Sequence, residues 1–264
     1  MTTSFDAMPE VARTAWTQLR DELQAILDED LVAMWAHGGT TFAEGPPRPA
    51  DLDTYVIVAR QPDAQTIQRI EEAHDAIAAE LGVEWDAWYV LADDARRPEP
   101  PRHAYREGKR DTAWAIHRAF WLAGRYIHLF GTEPADLVPP PTRDELEADL
   151  SRELEHIERH VVEGDTDPYE ATYALLNGSR ILHSLETGDV AISKRAAGAW
   201  ALQKLPAHWH PALQAATRAY DGQASTEDDA LLAAEMAPFV EMVREHLPAT
   251  DEVTEAPRPR WSGY

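Results

Sequence analysis

The chain has 264 residues, no cysteine, and 47 acidic against 24 basic residues, giving a formal charge of −23. That balance excludes disulfide scaffolds, thiolate nucleophiles and cysteine-based zinc sites, and it argues against a nucleic-acid partner, because phosphates favour basic proteins. Hydrophobic content of 44%, a mean hydropathy of −0.46 and no apolar run near the ~18 residues that cross a bilayer point to a globular chain with no membrane partner. In chain order, Val11, Ala15, Leu19, Leu23, Ile26 and Leu27 recur at helical spacing and predict a helix over 9–28. Met1–Glu10 carries no basic segment followed by an apolar core, so a cytoplasmic location is expected. Leu31–His37 reads as a first strand, and 40–50, with Pro46, Pro47 and Pro49, as a loop. Asp53–Ala59 is a second strand. Pro62 opens a helix whose inner face is Ile67, Ile70, Ala73, Ile77 and Leu81, and Gly82 stops it. Val83–Leu91 is a third strand, and the proline- and charge-rich 96–108 marks a boundary. Helical patterns follow near 111–130, 143–163, 168–186, 194–204, 208–221 and 226–246. The predicted organisation is a small α/β unit over 1–108, a helical bundle over 109–247 and a disordered, proline-bearing tail over 248–264.

The chemistry concentrates at Trp35-Ala36-His37-Gly38-Gly39-Thr40 and at Asp51-Leu52-Asp53. Side chains alternate along a strand, so Asp51 and Asp53 share a face. Two carboxylates side by side on rigid backbone repel each other unless a cation neutralises them, and hard oxygen donors suit Mg²⁺. A glycine turn just upstream lets phosphate oxygens reach backbone amides. On the third strand Glu84, Asp86 and Trp88 share a face, and either acid could complete a three-carboxylate cluster.

Gly38-Gly39, the eleven residues 40–50 and then Asp51-Leu52-Asp53 resemble the signature of polymerase-β-type nucleotidyltransferases. Arg180-Ile181, Thr187-Gly188, Lys194, Ala196-Ala197, Trp200-Ala201, Leu205-Pro206, Pro211 and Ala219-Tyr220-Asp221-Gly222 resemble, in order and spacing, the C-terminal helical domain of streptomycin/spectinomycin-type aminoglycoside adenylyltransferases. The resemblance implies an α+β fold, with a small mixed sheet followed by the helical bundle. It implies Mg²⁺-dependent transfer of AMP from ATP to a hydroxyl of a cationic aminoglycoside, giving antibiotic resistance. Asp51, Asp53 and Asp86 would hold two Mg²⁺ ions, with Asp86 also the general base, and Glu84 keeps the choice of third acid open. Gly38, Gly39 and Thr40 would meet the nucleotide phosphates, Arg180 and Lys194 the triphosphate, and Tyr220 and Asp111 the nucleotide side. Glu84, Asp167, Glu170 and Tyr173 would lie on the acceptor side. The expected partners are ATP and the acceptor, and the expected form is a monomer.

The pattern departs from the family in places. Gly39 and Ala50 stand where serines are usual, Tyr173 replaces a polar residue, and Tyr105 is the aromatic nearest the place of a drug-stacking tryptophan. The alternatives are therefore transfer to a different small-molecule or protein hydroxyl, or a nucleotide-sensing module without turnover. His156 and His160 have a spacing that can bind zinc, but their densely charged helix reads as a solvated face.

Overall fold

The computed structural model describes residues 4–42, 51–164 and 167–247. It divides into two compact units, Met1–Pro141 and Thr142–Tyr264. The tail expected over 248–264 lies outside the described residues.

The first unit begins with α1 (Glu10–Leu27), whose buried stripe is Ala12, Ala15, Trp16, Leu19, Leu23 and Leu27. Then come β1 (Leu31–Ala36), β2 (Asp51–Val58), α2 (Ala64–Leu81), β3 (Glu84–Leu91) and a short α3 (Ala92–Ala95). The unit closes with α4 (Trp114–Leu122) and β4 (Ile127–Gly131). The sheet order is β3-β2-β1-β4. β1 is antiparallel to both β2 and β4, while β2 and β3 run parallel. α2 starts behind an Asp63 cap, whose carboxylate accepts from the Thr66 amide at 2.8 Å, and ends at Gly82.

Alternation sorts the strand residues into two cores. Met34, Leu52, Val56 and Tyr89 pack with the apolar stripe of α1 and with Ile70 and Ile77 of α2. Trp35, Tyr55, Ile57 and Val90 pack on the opposite face with Trp114 and Trp121 of α4. Trp16 fixes α1 to the sheet by donating its indole N–H to Thr54 Oγ1 at 2.9 Å.

One expectation fails here. The predicted helix over 111–130 stops at Leu122, and 127–131 forms a fourth strand instead. The chain reverses at Gly124, and β4 then pairs with the open edge of β1. Gly131 makes this possible: a Cβ there would lie 2.0 Å from the Val32 carbonyl oxygen. The seam expected after residue 108 accordingly falls at 141/142, because α4 covers the sheet and β4 extends it.

The second unit comprises α5 (Arg143–Glu163), α6 (Pro168–Thr187), α7 (Lys194–Lys204), α8 (His210–Tyr220) and α9 (Thr226–His246). These match the expected helices closely. α6 is central and packs against all four others. Gly178 lets α9 approach it, since a Cβ there would sit 2.9 Å from the Phe239 ring. Capping boxes at Thr142/Glu145 and Ser225/Asp228 set the starts of α5 and α9. Among the described residues, no helix is long and apolar enough to cross a membrane.

Candidate active site

The parallel register of β2 and β3 sets Asp53 beside Asp86 and Asp51 beside Glu84. Paired residues of adjacent strands project to the same face, so all four carboxylates stand on the α4 side of the sheet, in line with Tyr55 and Trp88. They form two rows about 6.6 Å apart along the strands. Among the described residues, no three His, Asp or Glu side chains are already gathered to hold a metal ion. The expected trio Asp51, Asp53 and Asp86 is thus one adjacent pair plus a neighbour one row away. The donor chemistry fits Mg²⁺: hard carboxylate oxygens on neighbouring strands.

Gly38 packs directly on this pair. Its φ is 76°, and a Cβ would fall 1.6 Å from Asp53 Oδ2. Only glycine satisfies both the backbone angle and that contact. The His37 amide donates to the Asp53 carbonyl at 3.1 Å, locking the end of β1 to β2. Gly39–Thr41 then form a 3-10 turn, with the Thr41 amide and hydroxyl both donating to the Gly38 carbonyl. Thr40 is buried, and its hydroxyl has no hydrogen-bond partner among the described residues.

Asp86 keeps exposed surface, yet burial of its flanks, and then the negative charge of Asp51, push its carboxyl above the usual aspartate range. His117 and Arg106 act in the opposite direction. Beneath the acids lies a buried polar cluster. Tyr55 donates its hydroxyl to Asp111, and His117 Nδ1 lies 2.9 Å from both groups. Burial and then Asp111 drive the Tyr55 phenol far above its ordinary value. Burial opposes ionisation of Asp111, but His117 and the hydrogen bonds from His117, Tyr55 and the Ala113 amide outweigh it and hold the carboxyl low. Asp111, expected on the nucleotide side, is only 3% exposed and serves to hold Tyr55 and His117. Tyr105 packs inward on Tyr89 and His103, at centroid distances of 5.1 and 4.6 Å, rather than offering a stacking face.

In the helical unit, Asp167 caps α6, its carboxylate accepting from the Glu170 amide at 2.9 Å. Glu170 lies 3.7 Å from His160. Tyr173 donates to Glu153 of α5 at 2.7 Å, and Lys194 sits over its ring at 4.7 Å. Arg180 donates to Asn177 at 2.9 Å, and its charge also reaches Tyr173. Arg195 bridges to Asp221 and lies over the Tyr220 ring at 5.9 Å.

Residues 140–246 match the family described as aminoglycoside adenylyltransferase, C-terminal domain. The match falls on the helical unit, Thr142–Tyr264. The fold is similar to that of spectinomycin adenyltransferase AAD(9) from Enterococcus faecialis, solved with ATP and spectinomycin. The TM-score is 0.65 at 15% identity, over 86% of this chain and 98% of that one. No curated protein sequence matches.

The nucleotidyltransferase signature points to Asp51 and Asp53, and the family resemblance adds Asp86 with Glu84 as the alternative, while neither points to His37, Arg106 and His117 near them. His37 was adjacent to the glycine pair and so within reach of the motif. His117 follows Asp111 by six residues across a turn, a spacing with no period to reveal it. In the helical unit no sequence signal marks Glu153 and Arg195, since both are defined by partners twenty or more residues away.

Proposed function

We propose that the chain transfers AMP from ATP to a hydroxyl of an aminoglycoside of the streptomycin or spectinomycin kind, with Mg²⁺ held by Asp51, Asp53 and Asp86, and so confers resistance. The observation that carries the reading is the placement of Asp53 beside Asp86 with the Gly38 backbone against the Asp53 carboxylate. The adenylyltransferase domain over 140–246 and the fold shared with an enzyme solved with ATP and spectinomycin support the donor and the acceptor class. When bound, Mg²⁺ supplies positive charge for the phosphate oxygens.

The chain's own groups divide the remaining work. Asp86 accepts the proton of the attacking hydroxyl, a role helped by a carboxyl that burial makes more basic than usual. The hydroxyl oxygen then attacks the α-phosphorus in line with departing pyrophosphate, a reaction driven mainly by positioning and charge. Gly38, Gly39 and Thr40 meet the phosphate oxygens. Arg180 and Lys194 stabilise the leaving pyrophosphate, and Tyr220 lies against the nucleotide. Glu84, with Asp167 and Glu170, offers negative charge to the acceptor's ammonium groups.

A second reading keeps the reaction and changes the acceptor. It is favoured by the Asp167 carboxylate, which is engaged as a helix cap, and by the Tyr173 hydroxyl, engaged by Glu153. Purified protein with ATP, Mg²⁺ and an aminoglycoside panel separates the two. Pyrophosphate release that depends on streptomycin or spectinomycin supports the first reading. Release indifferent to the panel supports the second. ATP binding without turnover removes both.

A further inference from the structure

We infer that the basic ribbon over 101–111, through Arg102, Lys109 and Arg110, is an anion-capture surface that draws the triphosphate of Mg-ATP toward the sheet carboxylates, an inference that rests on the reading of ATP as the donor. In a chain of net charge −23, Arg96, Arg97, Arg102, Arg106, Lys109 and Arg110 all fall within 96–110, beside only Glu99 and Glu107. Half of these cations are matched locally: Arg96 with Asp93 at 3.1 Å, Arg97 with Asp94 at 3.6 Å and Arg106 with Glu71 at 3.4 Å. Arg102, Lys109 and Arg110 are exposed and have no acidic partner among the described residues. Backbone pairing concentrates them. The His103 amide donates to the Lys109 carbonyl at 3.0 Å, and the Asp111 amide to the Pro101 carbonyl at 3.1 Å. Arg102 and Arg110 therefore face each other as a non-hydrogen-bonded antiparallel pair, the arrangement that brings side chains closest. Like charges placed so repel each other. A hydrogen bond from Arg110 Nη1 to the Pro100 carbonyl at 3.2 Å holds the guanidinium without cancelling its charge.

The ribbon is fixed at the edge of the site. β3 is an outer strand of the sheet, and the Ala104 amide donates to the Tyr89 carbonyl at 2.7 Å, so the ribbon lies along the free edge of the strand that carries Asp86. At its far end Asp111 accepts from Tyr55, which stands one row from Asp53 on β2. Burial and then Asp51 raise the Asp86 carboxyl, and Arg106 in the ribbon's turn is near enough to act against them. The extent of the patch selects the ligand. Three cations match a short polyphosphate, whereas a long polyanion or an acidic protein would also lie against a chain that is strongly negative elsewhere. That same negative field opposes the approach of ATP to other faces. Cations without a partner raise the local concentration of an anion and its encounter rate, and they act over a screening length of ~10 Å at 0.1 M salt. The three side chains act on the approach and not on the bound pose, so they are neither metal ligands nor catalytic residues.

Stopped-flow mixing of the full chain with the Mg²⁺ complex of a fluorescent ATP gives association and dissociation rates across salt, and steady-state AMP transfer gives kcat. In the wild type the association rate should fall as salt rises from about 0.01 M to about 0.3 M, despite the net charge of −23. Arg102→Gln/Lys109→Gln/Arg110→Gln should associate about five-fold more slowly at the low salt, and its rate should rise with salt, because only the overall repulsion remains. The two curves should meet at the high salt, with the dissociation rate and kcat at saturating ATP each within about two-fold of the wild type. Arg60→Gln/Arg69→Gln/Lys204→Gln removes the same charge outside the ribbon and should keep close to the wild-type rate, which separates a local patch from net charge. An association rate unchanged in the ribbon variant, or lowered equally in the control, overturns this inference while ATP stands as the donor. A loss of kcat in the ribbon variant also overturns it, by placing these side chains in the reaction itself. Absence of nucleotide binding by the wild type removes ATP as the donor, and the inference falls with that reading.

Discussion

In the helical unit acids are matched to guanidinium groups. Arg244 donates to Glu158 at 2.7 Å, Arg218 to Asp228 at 3.0 Å, Arg195 to Asp221 and Arg143 to Glu147. In the sheet unit, β2 and β3 set acid beside acid: Asp53 by Asp86, and Asp51 by Glu84. In the helical unit the first three pairs join helices, the last lies along α5, and each adds modest stability. The second pattern sets like charges side by side, an arrangement that a bound cation would stabilise. Net charge alone would not have separated the two, because both regions are acidic. Whether an acid faces a cation or another acid does.

Asp53→Asn should break this contrast most sharply. Turnover should fall by about 10³-fold or more, while the thermal midpoint stays level or rises, since a repulsion is relieved. Near-normal turnover would make the sheet acids as structural as the helical ones.

A smaller effect concerns acid sensitivity. Burial depresses His74 to about 4, with its Nε2 on the Tyr89 hydroxyl at 2.8 Å. The unfolded histidine binds a proton near pH 6.5 and the folded one only near 4, so between those values the unfolded state takes up more protons. Stability present above pH 6.5 should therefore be lost as pH falls toward 4, by on the order of 3 kcal/mol. Denaturant melts of His74→Gln should show a flatter profile over that window, and an unchanged profile would move the sensitivity elsewhere.

Gly38→Ala comes next. It places a methyl group on Asp53 Oδ2 and strains a positive φ, which should cost about 2 kcal/mol in chemical denaturation and displace the carboxylate. The smallest effect belongs to the helical unit. Arg244 and Glu158 are 40% and 33% exposed, so Arg244→Ala should lower stability by about 0.5–1 kcal/mol with kcat untouched. A loss of kcat there would blur the division between the two regions.

The sequence carried the strands of the site well, for a physical reason. Period-two alternation in Asp51–Val58 and Glu84–Leu91 fixes which face each acid takes, and the parallel pairing then needs only register. β4 was not readable in the same way. Ile127-His128-Leu129-Phe130 is a short apolar run directly after a helix, and its strand identity comes from the open edge of β1. The Tyr55–Asp111–His117 cluster and the Glu153–Tyr173–Lys194 stack were hidden for a related reason. Their members are brought together by packing between elements, which no local spacing encodes.

The most direct test of the sheet's carboxylate pair compares two variants by the rate of AMP transfer from ATP to spectinomycin. Register partners Asp86 with Asp53 and leaves Glu84 one row away beside Asp51. Asp86→Asn should therefore lose about 10³-fold or more in kcat, while Glu84→Gln should stay within about ten-fold and show its loss in the acceptor KM. Normal transfer by Asp86→Asn, with the large loss in Glu84→Gln, would contradict the account.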